Sequence, residues 1–352
     1  MKIALITDQH FGARNDSLAF HDYFENFYLN FFFPYLEQNN IKLVVDLGDT
    51  FDRRKYINFY SLERCKKYWF DQLLQRDYKL HCIVGNHCTY FKNTNTVNSP
   101  DLLLKLYSNI TIHSAPSVVD IEGVKIVMMP WICQDNYTEC YELMQATDAQ
   151  ILLGHLELKG FEMYKGSVID HGHDTKSFEK FDVVCSGHYH HKSTRGNIHY
   201  LGAPYEMTWS DYDDARGFHI FDTATRELQF VQNPYKMFYR LWYDDRDQNI
   251  DYVIKQDFTM YKNTIVKVIV KNKSNPHIFD LYIDKLEKQD LVDLQVVDDH
   301  LNLNLEMDDD ILNEAEDTIS ILNKYVEQIQ KGDHKQVSKL LQELYNEALM
   351  VD

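Results

Sequence analysis

Five times in its first 190 residues this chain runs apolar for a few positions and then turns polar at once, each time on a side chain able to hold a metal ion. The apolar runs cover residues 3–7, 43–47, 80–84, 151–153 and 183–186. The polar groups that follow are Asp8-Gln9-His10, Gly48-Asp49, Gly85-Asn86-His87, Gly154-His155 and Gly187-His188-Tyr189-His190. Short apolar runs bounded by turn residues read as buried strands. Helical lengths lie between the early runs, such as the aromatic stretch 20–36, and this alternation predicts an α/β layered domain. Ligands of open α/β sheets gather outside the carboxyl ends of the strands. The five motifs are therefore expected at one edge of the fold.

Each motif is weak alone, and each has a chemical reason to belong. Residues i and i+2 of an extended chain point to one side, so Asp8 and His10 leave their strand together, as do His188 and His190. Glycine lets the chain turn sharply after a strand, and the carboxylate of Asp49 has two oxygens with which to bridge two cations. Asn86 offers a neutral oxygen. Its neighbour His87 points elsewhere and can exchange a proton near neutral pH. His155 adds one more imidazole. The set mixes nitrogen and oxygen and lacks thiolate, which suits Mn, Fe or Zn better than Mg or Ca alone.

Composition narrows the partners. The formal net charge is −18, which argues against a broad basic surface for nucleic acid and leaves phosphate to be met by metal ions or a few local cations. Arg53, Arg54 and Lys55, next to the Asp49 turn, are such a local group. No run approaches the roughly 18 apolar residues that span a membrane, and the start MKIALITDQHFG has none of the layout of a signal peptide. The six cysteines form no CxxC pair; they read as reduced thiols of a cytoplasmic protein, with Cys82 and Cys185 buried in apolar runs. His171 and His173 follow no apolar run and read as loop residues, and Trp131 reads as a packing residue rather than a base-stacking one.

Texture divides the chain into residues 1–230, 231–300 and 301–352. In the second part, residues 265–270 and 291–297 read as strands, and Pro276 opens a helix through Leu286. A small βαβ-type module is expected there. In the third, Leu312, Ala315, Ile319, Leu322, Val326 and Ile329 form a heptad seam. The segment carries 12 acidic residues against 4 Lys, and its two amphipathic helices are expected to dock onto a partner rather than fold back.

In this order DxH, GDxxDR, GNH, GH and GHxH resemble the calcineurin-like metallophosphoesterase superfamily, over about residues 1–225. Within it, GDTFDRRK (48–55), PWICQDN (130–136), GHLELKGFEMYKG (154–166), YLGAPYEMTW (200–209) and ARGFHIFD (215–222) are similar to SbcD-type recombination nuclease subunits, especially those of large tailed phages. The resemblance implies an α/β fold with a two-sheet β-sandwich core flanked by helices, a small α+β module that caps DNA, and C-terminal helices that dock an SMC-like coiled-coil ATPase. It implies a metal-dependent nuclease acting on double-stranded DNA ends and on single-stranded DNA, a homodimer, and two divalent ions, Mn before Mg. One ion would be held by Asp8, His10, Asp49 and His190, the other by Asp49, Asn86, His155 and His188. His87 would protonate the leaving oxygen, Asp52 would orient His87, and Arg53 would meet the phosphate. The family pattern has an acid after GNH where this chain has Cys88, so a looser loop and an oxidation-sensitive thiol are expected there. Two other functions fit the same core: hydrolysis of small or protein phosphoesters, and a weakly catalytic scaffold for the ATPase.

Overall fold

The structure, a computed structural model, describes residues 1–164, 166–246, 250–298 and residue 337. Strands β1 (Lys2–Ile6), β2 (Leu43–Asp46), β3 (Lys79–Ile83) and β4 (Ile110–His113) come first. Then follow β5 (Ser117–Ile121), β6 (Val124–Met129), β7 (Ile151–His155), the short β8 (Glu162–Tyr164) and β9 (Ser167–Val168), and β10 (Val183–Gly187). Strands β11 (Ser193–Arg195), β12 (Ile198–Tyr200), β13 (Gly217–Asp222) and β14 (Leu228–Gln232) complete this part. They build two six-stranded sheets, β14-β13-β1-β2-β3-β4 and β11-β12-β10-β7-β6-β5, while β8 and β9 pair with each other.

The runs are apolar throughout because both faces of each sheet are covered. Ile3 and Leu5 of β1 point into the layer between the sheets, where they meet Val45, Met128, Leu153 and Cys185. Ala4 and Ile6 point the other way, into an aromatic layer of helices. Val127, Leu152 and Val184 likewise leave the second sheet on its outer face, beneath the helix Tyr137–Ala146. The aromatic layer is two helical spans. Helix Leu18–Phe27 passes through a π-helical turn, Tyr28–Phe32, into Phe33–Gln38. Helix Phe59–Cys65 does the same through Lys66–Phe70 into Asp71–Gln75. The two π turns meet, with the Tyr28 ring 4.6 Å from Trp69.

Register sets the site. The parallel pairs align Ile6 with Asp46 and Asp46 with Cys82 in the first sheet, and His155 with Gly187 in the second. The chain therefore leaves β1, β2, β3, β7 and β10 at one level and one end.

A smaller unit follows. Strands β15 (Phe238–Asp244), β16 (Ile265–Asn272) and β17 (Asp293–Asp298) form a parallel sheet. Helices Ile250–Lys255 and Pro276–Glu287 connect them, and Asn275 caps the second through the N–H groups of His277 and Ile278. Val266, Val268, Val270, Tyr282 and Leu286 make its core. The Glu206 carboxylate accepts the N–H groups of Met237 (2.7 Å) and Phe238 (2.9 Å), which ties this unit to the sandwich. Apart from residue 337, the acidic segment 301–352 lies outside the described residues. Among the described residues no helix is long and apolar enough to cross a membrane. All six cysteines are buried and unpaired.

Candidate metal centre

The seven side chains singled out as ligands meet at the common strand end, in two groups. Asp8, His10 and His190 form one, and Asp49, His155 and His188 the other, which Asn86 joins. In the first, the Nε2 atoms of His10 and His190 are 3.0 Å apart, and Asp8 Oδ1 is 4.0 Å from His10 and 3.9 Å from His190. In the second, His155 Nε2 lies 3.2 Å from Asp49 Oδ2 and 2.9 Å from Asn86 Oδ1, which is also 3.0 Å from His188 Nδ1. Asp49 Oδ2 faces both groups, since it is 4.0 Å from His10 Nε2 as well.

Local backbone makes this convergence possible. Asp8 (φ 52°), His10 (φ 45°), Asp49 (φ 51°) and His188 (φ 90°) all occupy the left-handed region. Such conformations cost about 1–3 kcal/mol each and persist only where surroundings impose them. Part of what imposes them lies under the pocket. Gln9, between two candidate ligands, turns inward and donates to Asp46 (2.8 Å). Its side-chain oxygen accepts from Tyr28 (2.6 Å) and its backbone carbonyl from Tyr205 (2.6 Å). Asp46 also takes the Thr50 hydroxyl (2.6 Å) and the Gly48 N–H (3.1 Å). Three of the motif glycines are needed for space, Gly85 because a Cβ there would overlap the Asp49 backbone nitrogen. At Gly48 (φ 108°) a Cβ would stand 2.5 Å from His155 Nδ1, and at Gly187 one would overlap Thr7 Oγ1.

The donor chemistry fits metal ions. His155 Nδ1 lies 2.8 Å from the Leu47 carbonyl, which can only accept, so Nδ1 carries the proton. In a neutral ring Nε2 is then a bare lone pair, and it faces two oxygens. With the ring neutral, these three acceptors surround a point that a metal ion would satisfy. Ligands about 2.1 Å from a metal lie on the order of 3–3.4 Å from each other in octahedral or tetrahedral sites, close to the separations of 2.9–3.2 Å in the second group. Without an ion the charges shift as expected. Burial opposes charge on His10 and His155, but the carboxylates of Asp52, Asp49 and Asp8 around His10, and of Asp49 and Asp8 around His155, bring both imidazoles up to about 9. Burial raises Asp8 and brings Asp46 up to about 7. Burial, helped by the neighbouring imidazoles, pushes His188 and His190 well below the usual histidine value.

The structure adds detail at three of these positions. The Asp52 carboxylate lies 3.3 Å from His10 Nδ1 and also stands within 4.8 Å of a His87 ring nitrogen. His87 Nδ1 donates to the Asp52 backbone carbonyl (2.7 Å), and its N–H donates to Asp49 Oδ1 (2.8 Å). The turn after Asp49 thus brings both the main chain and the acid of Asp52 to the edge of the pocket shared by His10 and His87. Arg53 is anchored at the rim by Asp16 (3.0 Å). The loop at Cys88 is not loose: Thr89 Oγ1 and Cys88 N–H bond back to Asn86 and Gly85, and Ser99 donates to the Cys88 carbonyl. Burial pushes the Cys88 thiol up to about 12, which keeps it protonated and poorly reactive.

Sequence reasoning missed three residues, Thr7, Gln9 and Asp46, and read Trp131 as a packing residue without placing it at the site. Thr7 donates to Asp8 Oδ2 (2.7 Å), Gln9 and Asp46 form the clamp beneath, and the Trp131 ring packs 5.1 Å from His188 and 6.3 Å from His155. A signal existed for Gln9: if Asp8 and His10 face the pocket, the residue between them faces the core, where an amide needs partners.

The calcineurin-like phosphoesterase profile matches residues 1–192. The chain is 30% identical over 355 residues to exonuclease subunit 1 of Enterobacteria phage T4, covering 99% of each protein. Among solved structures it is similar to an archaeal phosphodiesterase (14% identity, 66% of this chain and 99% of the other, TM-score 0.33). It is also similar to a dimetal phosphatase from Danio rerio (10% identity, 62% and 91% covered, TM-score 0.37). With motifs, profile and full-length relative in agreement, this chain belongs to the calcineurin-like phosphoesterase family.

Proposed function

We propose that the chain is the nuclease subunit of a DNA-end-processing complex, hydrolysing phosphodiester bonds at a centre of two divalent ions. The observation that carries this is the Asp49 carboxylate, buried between two groups of ligands and within 4.0 Å of an imidazole in each. Asp8, His10, Asp49 and His190 would hold one ion, and Asp49, Asn86, His155 and His188 the other. Bound there, the ions supply an activated water and neutralise charge on the phosphate oxygens.

The chain's own groups do the rest. His87, fixed by its Nδ1 bond to the Asp52 carbonyl, presents Nε2 as the atom that delivers a proton to the leaving oxygen. Asp52 orients His10 through Nδ1, as carboxylates commonly do for ligating imidazoles. Arg53, held by Asp16, meets the phosphate at the rim. DNA as substrate is supported by the full-length likeness to a phage exonuclease subunit, which extends past the phosphoesterase core. On this reading residues 231–300 cap the DNA, residues 301–352 dock an SMC-like ATPase, Mn is the working ion, the chain pairs with a second copy, and the compartment is the cytoplasm of the host. Exposed Tyr56, Phe59 and Tyr60 are candidates for the surface such a copy would cover.

The test is incubation of the purified chain with end-labelled linear duplex DNA. Mn-dependent shortening that EDTA abolishes and His87→Ala removes is expected. Hydrolysis of small phosphomonoesters with DNA left intact would refute it.

A further inference from the structure

The connection from β12 to β13, residues 201–216, carries the chain from the second sheet back to the first. Two of its side chains reach the backbone of the metal centre. Tyr205 donates to the Gln9 carbonyl (2.6 Å), between Asp8 and His10. Arg216, the last residue of the connection, donates through Nη1 to the His190 carbonyl. Both bonds fall on the group formed by Asp8, His10 and His190.

Arg216 is only 6% exposed. Its Nη2 lies 2.6 Å from Asp211 Oδ1 and 3.0 Å from Asp214 Oδ2, and its own carbonyl accepts the Asn233 N–H (2.8 Å). Buried Asp211 is fixed in turn by the N–H groups of Met207 (2.6 Å) and Thr208 (2.9 Å). Asp214 also meets the ring of His191, 2.7 Å from Nδ1. One guanidinium thus holds residue 190 by its carbonyl and residue 191 through a shared carboxylate. A buried ion pair adds little stability by itself, because desolvation offsets the attraction. What arginine supplies is a planar fork of five N–H donors that fixes several acceptors at set angles.

His190 needs such a hold. Residues 188–192 belong to no strand or helix, so their place rests on tertiary bonds. Upstream, the His188 N–H is tied to the Asp8 carboxylate (3.1 Å), and buried Tyr189 donates to the Leu158 carbonyl (3.1 Å). Downstream, the His190 carbonyl takes the Arg216 guanidinium and the Ala203 N–H (3.1 Å).

We propose that Arg216 is a positioning residue for one ion of the pair, the ion held by Asp8, His10, Asp49 and His190. By fixing the backbone at 190 and 191 it sets where the His190 imidazole stands. The proposal rests on the reading of two ions. Removing a nearby cation would, by charge alone, strengthen Mn binding, so a weaker ion in its absence reports position.

The test is Mn titration of the full chain, with free Mn followed by its EPR signal, in the parent, Arg216→Met and Arg216→Lys. The parent is expected to bind two ions. Arg216→Met should weaken one of them about tenfold or more, the cost of losing a group that orients a ligand, and leave the other at the parent's affinity. Arg216→Lys, which keeps the charge and loses the fork, should weaken the same ion by less. Two backgrounds identify that ion. In His190→Ala, Arg216→Met should not alter the ion that remains; in His188→Ala it should still weaken it. Unfolding curves in chelator accompany the titrations, and if Arg216→Met does not fold, Arg216→Lys decides by the same criteria. Equal loss at both ions, no loss, tighter binding, or an effect that persists in His190→Ala overturns the proposal alone. A parent that binds fewer than two Mn overturns the two-ion reading, and this proposal with it.

Discussion

Gly187→Ala should cripple the metal centre by a single methyl group. The φ of Gly187 is not positive, so alanine is tolerated by the backbone itself. The cost is local crowding: the new Cβ would overlap Thr7 Oγ1 and stand 2.9 Å from Asp8 Oδ2 and 3.0 Å from His155 Nδ1. Overpacking of this kind costs about 1–3 kcal/mol. Moving Asp8 away also disturbs its bonds from Thr7 (2.7 Å) and from the His188 N–H (3.1 Å), at about 1 kcal/mol each. Together the loss should be about 3–5 kcal/mol of stability, with Mn affinity falling alongside. Thr7→Ala removes the worst-placed atom at the cost of its own hydrogen bond. In the double variant the two losses should therefore fall short of their sum by about 1–2 kcal/mol, within the range of contacting pairs. Denaturant unfolding in chelator, with Mn titrations beside it, measures both. Strict additivity, or full Mn affinity in Gly187→Ala, would refute the crowding argument.

Other outcomes follow from the same geometry. Asp52→Asn should weaken Mn binding, because its carboxylate lies 3.3 Å from His10 Nδ1; a variant with normal metal affinity but a shifted pH–rate profile would place the role of Asp52 at His87 alone. Gln9→Leu should cost about 1–3 kcal/mol, by stripping a donor from buried Asp46 and an acceptor from Tyr28, and unfolding midpoints at pH 7 will show whether it does. Burial, aided by His81, lowers His113 to about 4, against about 6.5 unfolded. Its contribution is thus present above pH 6.5 and is lost as pH falls toward 4, about 2 kcal/mol by pH 5. His113→Asn should flatten that part of the stability curve, and an unchanged acid limb would rule the group out.

How much of this was legible from residues alone depended on how local each cause was. Strand ends followed by Asp8, Asp49, Asn86, His155 and His188 were readable because apolar runs and turn glycines are neighbours in sequence, and parallel register then aligns Ile6, Asp46 and Cys82 without further information. The helix at Pro276 was readable from its first residue. The approach of Asp52 to His10 Nδ1 was not readable, because two residues of irregular turn separate it from Asp49 and no periodicity tells which way such a side chain points. The left-handed conformations at Asp8, His10, Asp49 and His188 were hidden for a related reason: the surroundings impose them against intrinsic preference. Asp46 looked like the last residue of an apolar strand, and only the fold brings Gln9 and Thr50 to its carboxylate.

The cysteine at position 88 tests what the missing acid would do. Cys88 is fully buried among Cys65, Cys82 and Leu104 in the aromatic layer, and Asp49 and Asp46 both add to the cost of negative charge there. A carboxylate in its place gains at most the two local hydrogen-bonding groups beside the thiol, the Phe51 backbone and the Ser99 side chain. In chelator, Cys88→Asp should therefore destabilise the chain by about 1–3 kcal/mol. With divalent ions seated beside Asp49, the same carboxylate is attracted to them and part of that penalty disappears. Linkage makes the two effects equal: whatever stability Mn restores to the variant, beyond what it gives the parent, must appear as tighter Mn binding by the folded variant. Unfolding curves of parent and variant, with and without Mn, and one Mn titration of each close this cycle. If Cys88→Asp is as stable as the parent in chelator, the site is already arranged to receive an acid, and burial is not why this chain does without one.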